Sequence, residues 1–169
     1  MTDVAIDRLA RADLPAALTI QAAAYPPFLI EPADAFVSRI DHPAGYCLAA
    51  RRAGELIGYI LAHGWPRGSP PAVGTILDPG AAREVLFLHD LALAPAARGL
   101  RVGERLVAAA LEAARRDGLT EAELIAVEGA AGYWQLLGFV EATTTPALSA
   151  KVAGYGKAAR WMRRPLAAA

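Results

Sequence analysis

The order of periodicities along the chain predicts an α/β fold of the α+β kind, a mixed sheet with helices packed on it. Three stretches carry that expectation. Residues 85–93 alternate, with Val85, Phe87, His89, Leu91 and Leu93 on one side and Leu86, Leu88, Asp90 and Ala92 on the other. Both sides are mostly apolar, as in a strand buried on both faces. After Pro95 and a turn holding Gly99 and Gly103, the period changes to that of a helix, with Leu106, Val107, Ala110, Leu111 and Ala114 on one stripe. Upstream, residues 46–51 and 55–63 alternate around a turn at Gly54 and read as an antiparallel hairpin.

Taken in order, residues 4–9 form a weakly alternating first strand. Asp13 is the expected N-cap of a helix running to about Ala24, with Pro15 tolerated in its first turn. Tyr25, Pro26 and Pro27 interrupt it. Glu31 and Pro32 open a second helix, in which Phe36 and Ile40 lie one turn apart and Asp34 sits near the positive end. Residues 41–45 turn into the hairpin. Residues 64–83 carry Pro66, Pro70, Pro71 and Pro79, and a loop of this length in a compact domain suits a wall or lid of a pocket. Behind the central strand and its helix, Gly118 is the stop signal. Residues 123–127 form a strand, residues 130–137 a helix ended by Gly138, and Phe139 starts another strand. Residues 158–164 are extended, with Trp161 a large contribution to the core.

The chain has 169 residues and suits one domain over residues 1–169. It is 55% hydrophobic and 20% charged, with 17 Lys plus Arg against 17 Asp plus Glu, so its charge gives no support to nucleic-acid or membrane attraction. One cysteine, Cys47, allows no internal disulfide and is expected to be inert, and three histidines with it form no zinc pattern. No apolar run approaches the ~20 residues that span a bilayer, and the first residues lack the regions of a signal peptide, so a cytoplasmic protein is expected. Residues 167–169 read as a frayed end.

A strand that ends in a tight turn and feeds a helix N-terminus is suited to an anion, because free backbone N–H groups and the helix dipole point the same way. Arg98 and Arg101 add positive charge, while Gly99 and Gly103 let a ligand approach the backbone. Phosphate or pyrophosphate is the expected ligand class. His89 and Asp90 interrupt the apolar strand, and alternation sends them to opposite faces; each needs a partner or a task.

The stretch from Leu91 through Arg98-Gly-Leu-Arg-Val-Gly103, followed by Tyr133-Trp-Gln-Leu-Leu-Gly-Phe139, resembles the cofactor-binding core of the GCN5-related N-acetyltransferase (GNAT) family. The segments around Tyr46, residues 54–65, Leu88-His89 and residues 155–162 are similar to its arylalkylamine N-acetyltransferase branch. The resemblance implies a mostly antiparallel sheet with a splayed central strand pair that binds acetyl-CoA, and no metal. It implies that Leu91, Ala92 and Leu93 meet the pantetheine. Arg98, Gly99, Leu100, Arg101, Val102, Gly103 and Glu104 would cradle the pyrophosphate. Arg101 stands where the family's turn carries its first glycine. Trp134 stands where the family commonly carries a tyrosine that protonates the departing thiolate, and indole cannot supply that proton at neutral pH.

The reading that follows is acetyl transfer from acetyl-CoA to a primary amine, arylalkylamine-like or polyamine-like, by direct attack in a ternary complex. His89, which falls where the amine branch carries a catalytic histidine, is the general base or a water relay, since an imidazole near pKa ~6.5 is a neutral acceptor at pH 7. A structural histidine bonded inside the sheet is the rival. The backbone N–H of Leu91 or Leu93 would polarise the thioester carbonyl. Tyr133 and Tyr155 are the candidate acids, with Trp134 placed against the cofactor, and Asp90 is expected to pair with a neighbouring element. His42 and His63 are expected at the surface or in the pocket, and Arg160, Arg163 and Arg164 on a solvated face. The string from Gly154 to Ala159 fits a dinucleotide pattern but reads as a turn. A CoA-binding sensor without catalysis, and a protein N-terminal or lysine acetyltransferase, are the competing functions; a homodimer is allowed.

Overall fold

The computed structural model describes residues 3–167, so Ala168 and Ala169 of the expected frayed end lie outside the described residues. Seven strands form one sheet: β1 (Val4–Arg8), β2 (Leu48–Arg52), β3 (Glu55–Trp65), β4 (Val85–Leu93), β5 (Glu121–Ala126), β6 (Val140–Glu141) and β7 (Arg160–Pro165). Their order across the sheet is β1-β2-β3-β4-β5-β7-β6, and among these pairs only β4 and β5 run parallel. This is the mixed, mostly antiparallel α/β architecture that the sequence predicts.

Helices α1 (Leu14–Ala24) and α2 (Ala33–Ile40) cover one face. Their side of the core holds Leu9, Ile20, Phe36, Ile40, Tyr59 and Leu61. Helix α3 (Val102–Arg116) covers the other face, and its stripe of Leu106, Val107, Ala110, Leu111 and Ala114 is buried against Ile60, Leu86 and Leu88. Gly118 ends α3 with φ 89°, a conformation that suits glycine. Two short helices complete the chain, α4 (Ala131–Leu136) and α5 (Pro146–Ala153).

Three local expectations are corrected. Asp13 occupies the N-cap position of α1 but makes no side-chain cap bond. Its carboxylate instead accepts from the Ala10 N–H and forms a bidentate pair with Arg51, so a short 3₁₀ turn precedes the helix. Helix α5 is absent from the sequence reading, although Thr145 caps it through the Leu148 N–H and Pro146 fills its first position. His42 and His63 are both buried, 5% and 0% exposed, and neither lines the main cavity. Their rings pack 5.6 Å apart, and His63 also meets Trp65 and Phe87 edge-on or tilted.

The fourth correction concerns the central strand itself. Leu61 pairs with Asp90 but Ala62 pairs with Leu88, so His89 is the extra residue of a β-bulge in β4. A bulge breaks strict alternation. His89 and Asp90 therefore project to the same face, toward α1 and α2, where His89 meets Glu31 and Asp90 meets Tyr59. Ala92 follows them on that face. Leu91 shifts to the α3 side with Leu86 and Leu88, and Leu93 points there as well, toward Gly58 and Gly103.

Candidate active site

Strands β4 and β5 touch only at Leu86, Phe87 and Leu88, opposite Ala122, Glu123 and Leu124. Beyond Leu88 they part. Antiparallel ladders alternate between hydrogen-bonded and non-bonded pairs. The Ala94 N–H bonds Ile57 on the β3 side, so Ala92 and Asp90 aim their backbone groups at β3 as well. Leu91 and Leu93 then present theirs to the gap that β5 has left. The Leu91 carbonyl confirms the direction: its partner is the Tyr25 hydroxyl at 2.7 Å. An open edge with free N–H groups fits an extended amide chain added beside it.

The gap opens into a cavity of about 290 Å³, lined among others by Tyr25, Leu29, Glu31, Val73, Phe87, His89, Asp90, Glu128, Tyr133, Trp134 and Tyr155. At its β4 end the chain passes Gly99 (φ 74°) and Arg101 (φ 53°) into α3. No side chain caps that helix, so the N–H groups of its first turn have no intrahelical partner and face an incoming anion. A Cβ placed at Gly103 would collide with the Tyr133 hydroxyl and touch Leu93 Cδ1 at 3.4 Å. The missing side chain at Gly103 thus makes room for the Tyr133 hydroxyl beside the turn.

Arg101 is exposed and lies back along the helix, pairing with Glu104 through Nε at 2.9 Å. An exposed pair of this kind is worth little, so it opens at small cost. Arg98 is also exposed. Expected result: Gly103→Val forces Tyr133 aside and narrows the turn, weakening acetyl-CoA binding by about tenfold or more. Calorimetry checks it, and an unchanged Kd would contradict a pyrophosphate at this turn.

On the α1 side stands a buried polar assembly. Glu31 Oε1 accepts from His89 Nε2 at 2.7 Å and from the Arg39 guanidinium at 3.2 Å, and all three side chains are 3% exposed or less. The Gly74 N–H donates to Glu31 Oε2 at 2.7 Å, and the amide of Gln21 holds the Glu31 backbone on both sides. Arg39 also donates to the Ala35 and Thr75 carbonyls, each at 2.7 Å. Burial would raise the Glu31 carboxyl, but the bond from His89, the nearby positive charge and the Gly74 N–H outweigh it and hold the carboxyl below its usual value. Burial, then repulsion from Arg39, push the His89 imidazole down despite Glu31. His89 is thus neutral at pH 7. A carboxylate only accepts, so Nε2 carries the hydrogen and Nδ1 keeps its lone pair. That Nδ1 is buried and has no partner.

Asp90 takes the Tyr59 hydroxyl on Oδ2 at 2.6 Å, as the pairing expectation required, but its Oδ1 is buried without a partner. Burial raises the Asp90 carboxyl to about 6, against the bonds from Tyr59 and Tyr25. An acid raised on folding adds stability that is complete below its unfolded pKa and fades as pH rises through the folded value. Asp90→Asn, which cannot ionise, is therefore expected to gain on the wild type between pH 5 and pH 8, by about 1.4 kcal/mol. Parallel denaturation curves at the two pH values test this; a constant difference would contradict it.

Tyr133 is half-exposed at the cavity edge beside Gly103, with its phenol raised by burial and by Glu104. Tyr155 is buried, and its hydroxyl donates to the Pro71 carbonyl. Trp134 is buried in the cavity wall and stacks edge-on to Phe139. The long loop, residues 66–84 in the structure, is a wall: Val73 lines the cavity, while Pro71, Gly74 and Thr75 brace Tyr155, Glu31 and Arg39. The sequence reading missed Glu31, Arg39 and Gln21. Cys47 is buried and raised to about 12 by that burial. Among the described residues no group of His, Cys, Asp or Glu is arranged to hold a metal, and no helix is long and apolar enough to cross a membrane.

Fold and site together combine an open strand edge with an uncapped helix N-terminus at the mouth of one cavity. Residues 14–139 match the acetyltransferase (GNAT) family, and the chain belongs to that family. It is an acetyl-CoA-dependent acyltransferase. Among solved structures, the ribosomal-protein-S18-alanine N-acetyltransferase from Escherichia coli superposes with TM-score 0.73 and 18% identity, over 99% of this chain and 96% of that one. Ard1 from Thermoplasma volcanium gives TM-score 0.73 and 15% identity over 97% and 98%. The PaiA N-acetyltransferase from Thermoplasma acidophilum, in complex with coenzyme A, gives 0.69 and 16% over 96% and 99%. At these identities the likeness shows the fold. A search of curated proteins finds no significant relative.

Proposed function

We propose that the protein transfers the acetyl group of acetyl-CoA to a small primary amine of the arylalkylamine or polyamine type, by direct attack in a ternary complex. One observation carries the reading: His89 is a neutral imidazole fixed by Glu31, on the cavity wall beside the open edge of β4. Aliphatic amines have pKa values near that of lysine, ~10.4, and arrive protonated. Acetyl-CoA, held by the open edge of β4 and the turn before α3, supplies the thioester. His89 Nδ1 takes the proton from the bound ammonium, directly or through one water. The N–H group of Leu91 or of Leu93 donates to the thioester carbonyl. Tyr133, at the cavity edge next to the turn, is better placed than Tyr155 to donate to the departing sulfur, because the Tyr155 hydroxyl is committed to Pro71. The aromatic wall of Tyr25, Phe87, Trp134 and Tyr155 supports an acceptor with an apolar or aromatic body. We place the reaction in the cytoplasm.

Acetyl-CoA and CoA are each expected to raise the melting temperature by several degrees at concentrations far above Kd. No shift with either would sink the reading.

A further inference from the structure

The β4 bulge places two buried hydrogen-bond acceptors without donors on consecutive residues of one face. His89 Nδ1 and Asp90 Oδ1 are both buried and unpartnered, on adjacent residues that line the same cavity. Leaving such groups unsatisfied costs ~1–3 kcal/mol each, more for a charged one. An apolar acceptor would leave that cost in place, whereas a donor-rich one would remove it. The charges agree. Three carboxylates, those of Glu31, Asp90 and Glu128, occur among the residues lining the cavity, and neither Lys nor Arg does. Glu31 is neutralised by Arg39, but Asp90 has no ion pair among the described residues. The Tyr59 hydroxyl bonds its other oxygen, and the Tyr25 hydroxyl close by donates to the Leu91 carbonyl. A primary ammonium carries three N–H donors and one positive charge, which matches two acceptors and an uncompensated carboxylate.

We propose that Asp90 is the anchor for the acceptor's ammonium, and that with His89 it selects a primary alkylamine carrying no carboxylate. One N–H of the ammonium bonds Asp90 Oδ1. A second faces His89 Nδ1 and its proton passes there, leaving a neutral amine and an imidazolium that Glu31 stabilises. Asp90 keeps its charge throughout. An amino acid would bring its own carboxylate against Asp90 with no Lys or Arg in the wall to receive it, so it is rejected. An alcohol lacks the charge that Asp90 requires.

This rests on the amine-acetyltransfer reading, and one experiment separates the two. Thiol release from acetyl-CoA is followed for the wild type and Asp90→Asn with 2-phenylethylamine, butane-1,4-diamine and phenylalanine as acceptors. The wild type is expected to use at least one of the two amines and to reject phenylalanine. Asp90→Asn is expected to raise the acceptor KM about tenfold or more, with the KM for acetyl-CoA unchanged. An unchanged acceptor KM, or equal use of phenylalanine, overturns the anchor while leaving acetyl transfer standing. No thiol release with any amine overturns the reading beneath it. Should the variant fail to fold, the wild-type complex with CoA serves: 2-phenylethylamine should raise its melting temperature and uncharged 2-phenylethanol should not, and equal shifts overturn the anchor.

Discussion

His89→Gln is expected to lower turnover at pH 7 by about 10²–10⁴-fold while the Kd for acetyl-CoA stays within a factor of two or so. Glutamine can still donate to Glu31, so the buried carboxylate keeps its partner, but the amide has no basic nitrogen to face the acceptor. The pH dependence gives the second signature. Burial and Arg39 hold the His89 imidazole below its usual value. The wild-type rate should therefore rise with pH through a midpoint below ~6.5 and level off above it. That acid limb should vanish in the variant. Equal turnover of the two proteins across the range would make His89 the rival reading, a structural histidine of the sheet.

Arg39→Ala should cost about 3–5 kcal/mol, which for a chain of this size is on the order of 10 °C in Tm. The guanidinium is fully buried, and its loss leaves the Glu31 carboxylate without its cation and the Thr75 carbonyl without its donor, while Ala35 keeps the Ser38 hydroxyl. Breaking such a pair is far costlier than the pair's net worth, since the remaining charge stays buried. The kinetic consequence has a definite sign. Arg39 repels a charged imidazole, so without it His89 pairs with Glu31 more readily and its pKa rises. The acid limb of the rate profile should move upward. A loss under ~1 kcal/mol together with an unmoved limb would show that the assembly does not work as a unit.

Sheet, central helix and turn were legible because each is encoded locally. The stripe from Leu106 to Ala114 fixes α3, and Gly99 with Gly103 marks the turn whatever the rest of the chain does. Helix α5 was not seen because only Leu148 and Val152 of its residues are buried, too few to set a period; Thr145-Pro146 was the available signal. The faces of His89 and Asp90 were misassigned for a different reason. Alternation presumes an unbroken ladder, and the bulge that breaks it is defined only against Leu61 and Ala62 on another strand. Glu31 lies 58 positions from His89 in the chain, and nothing near Glu31 in the sequence marks it as a partner. His89 was identifiable as a candidate; what holds it neutral and oriented was not.

On the proposed reading, the cavity beside β4 brings a neutral imidazole to an acceptor amine next to a bound thioester. Thiol release from acetyl-CoA over a panel of arylalkylamines, polyamines and peptides tests it most directly. Release that depends on a small amine and rises with pH through the His89 midpoint is the expected result. Tight acetyl-CoA binding with no release on any member of the panel would contradict it, and would make the protein a CoA-binding sensor built on the same fold.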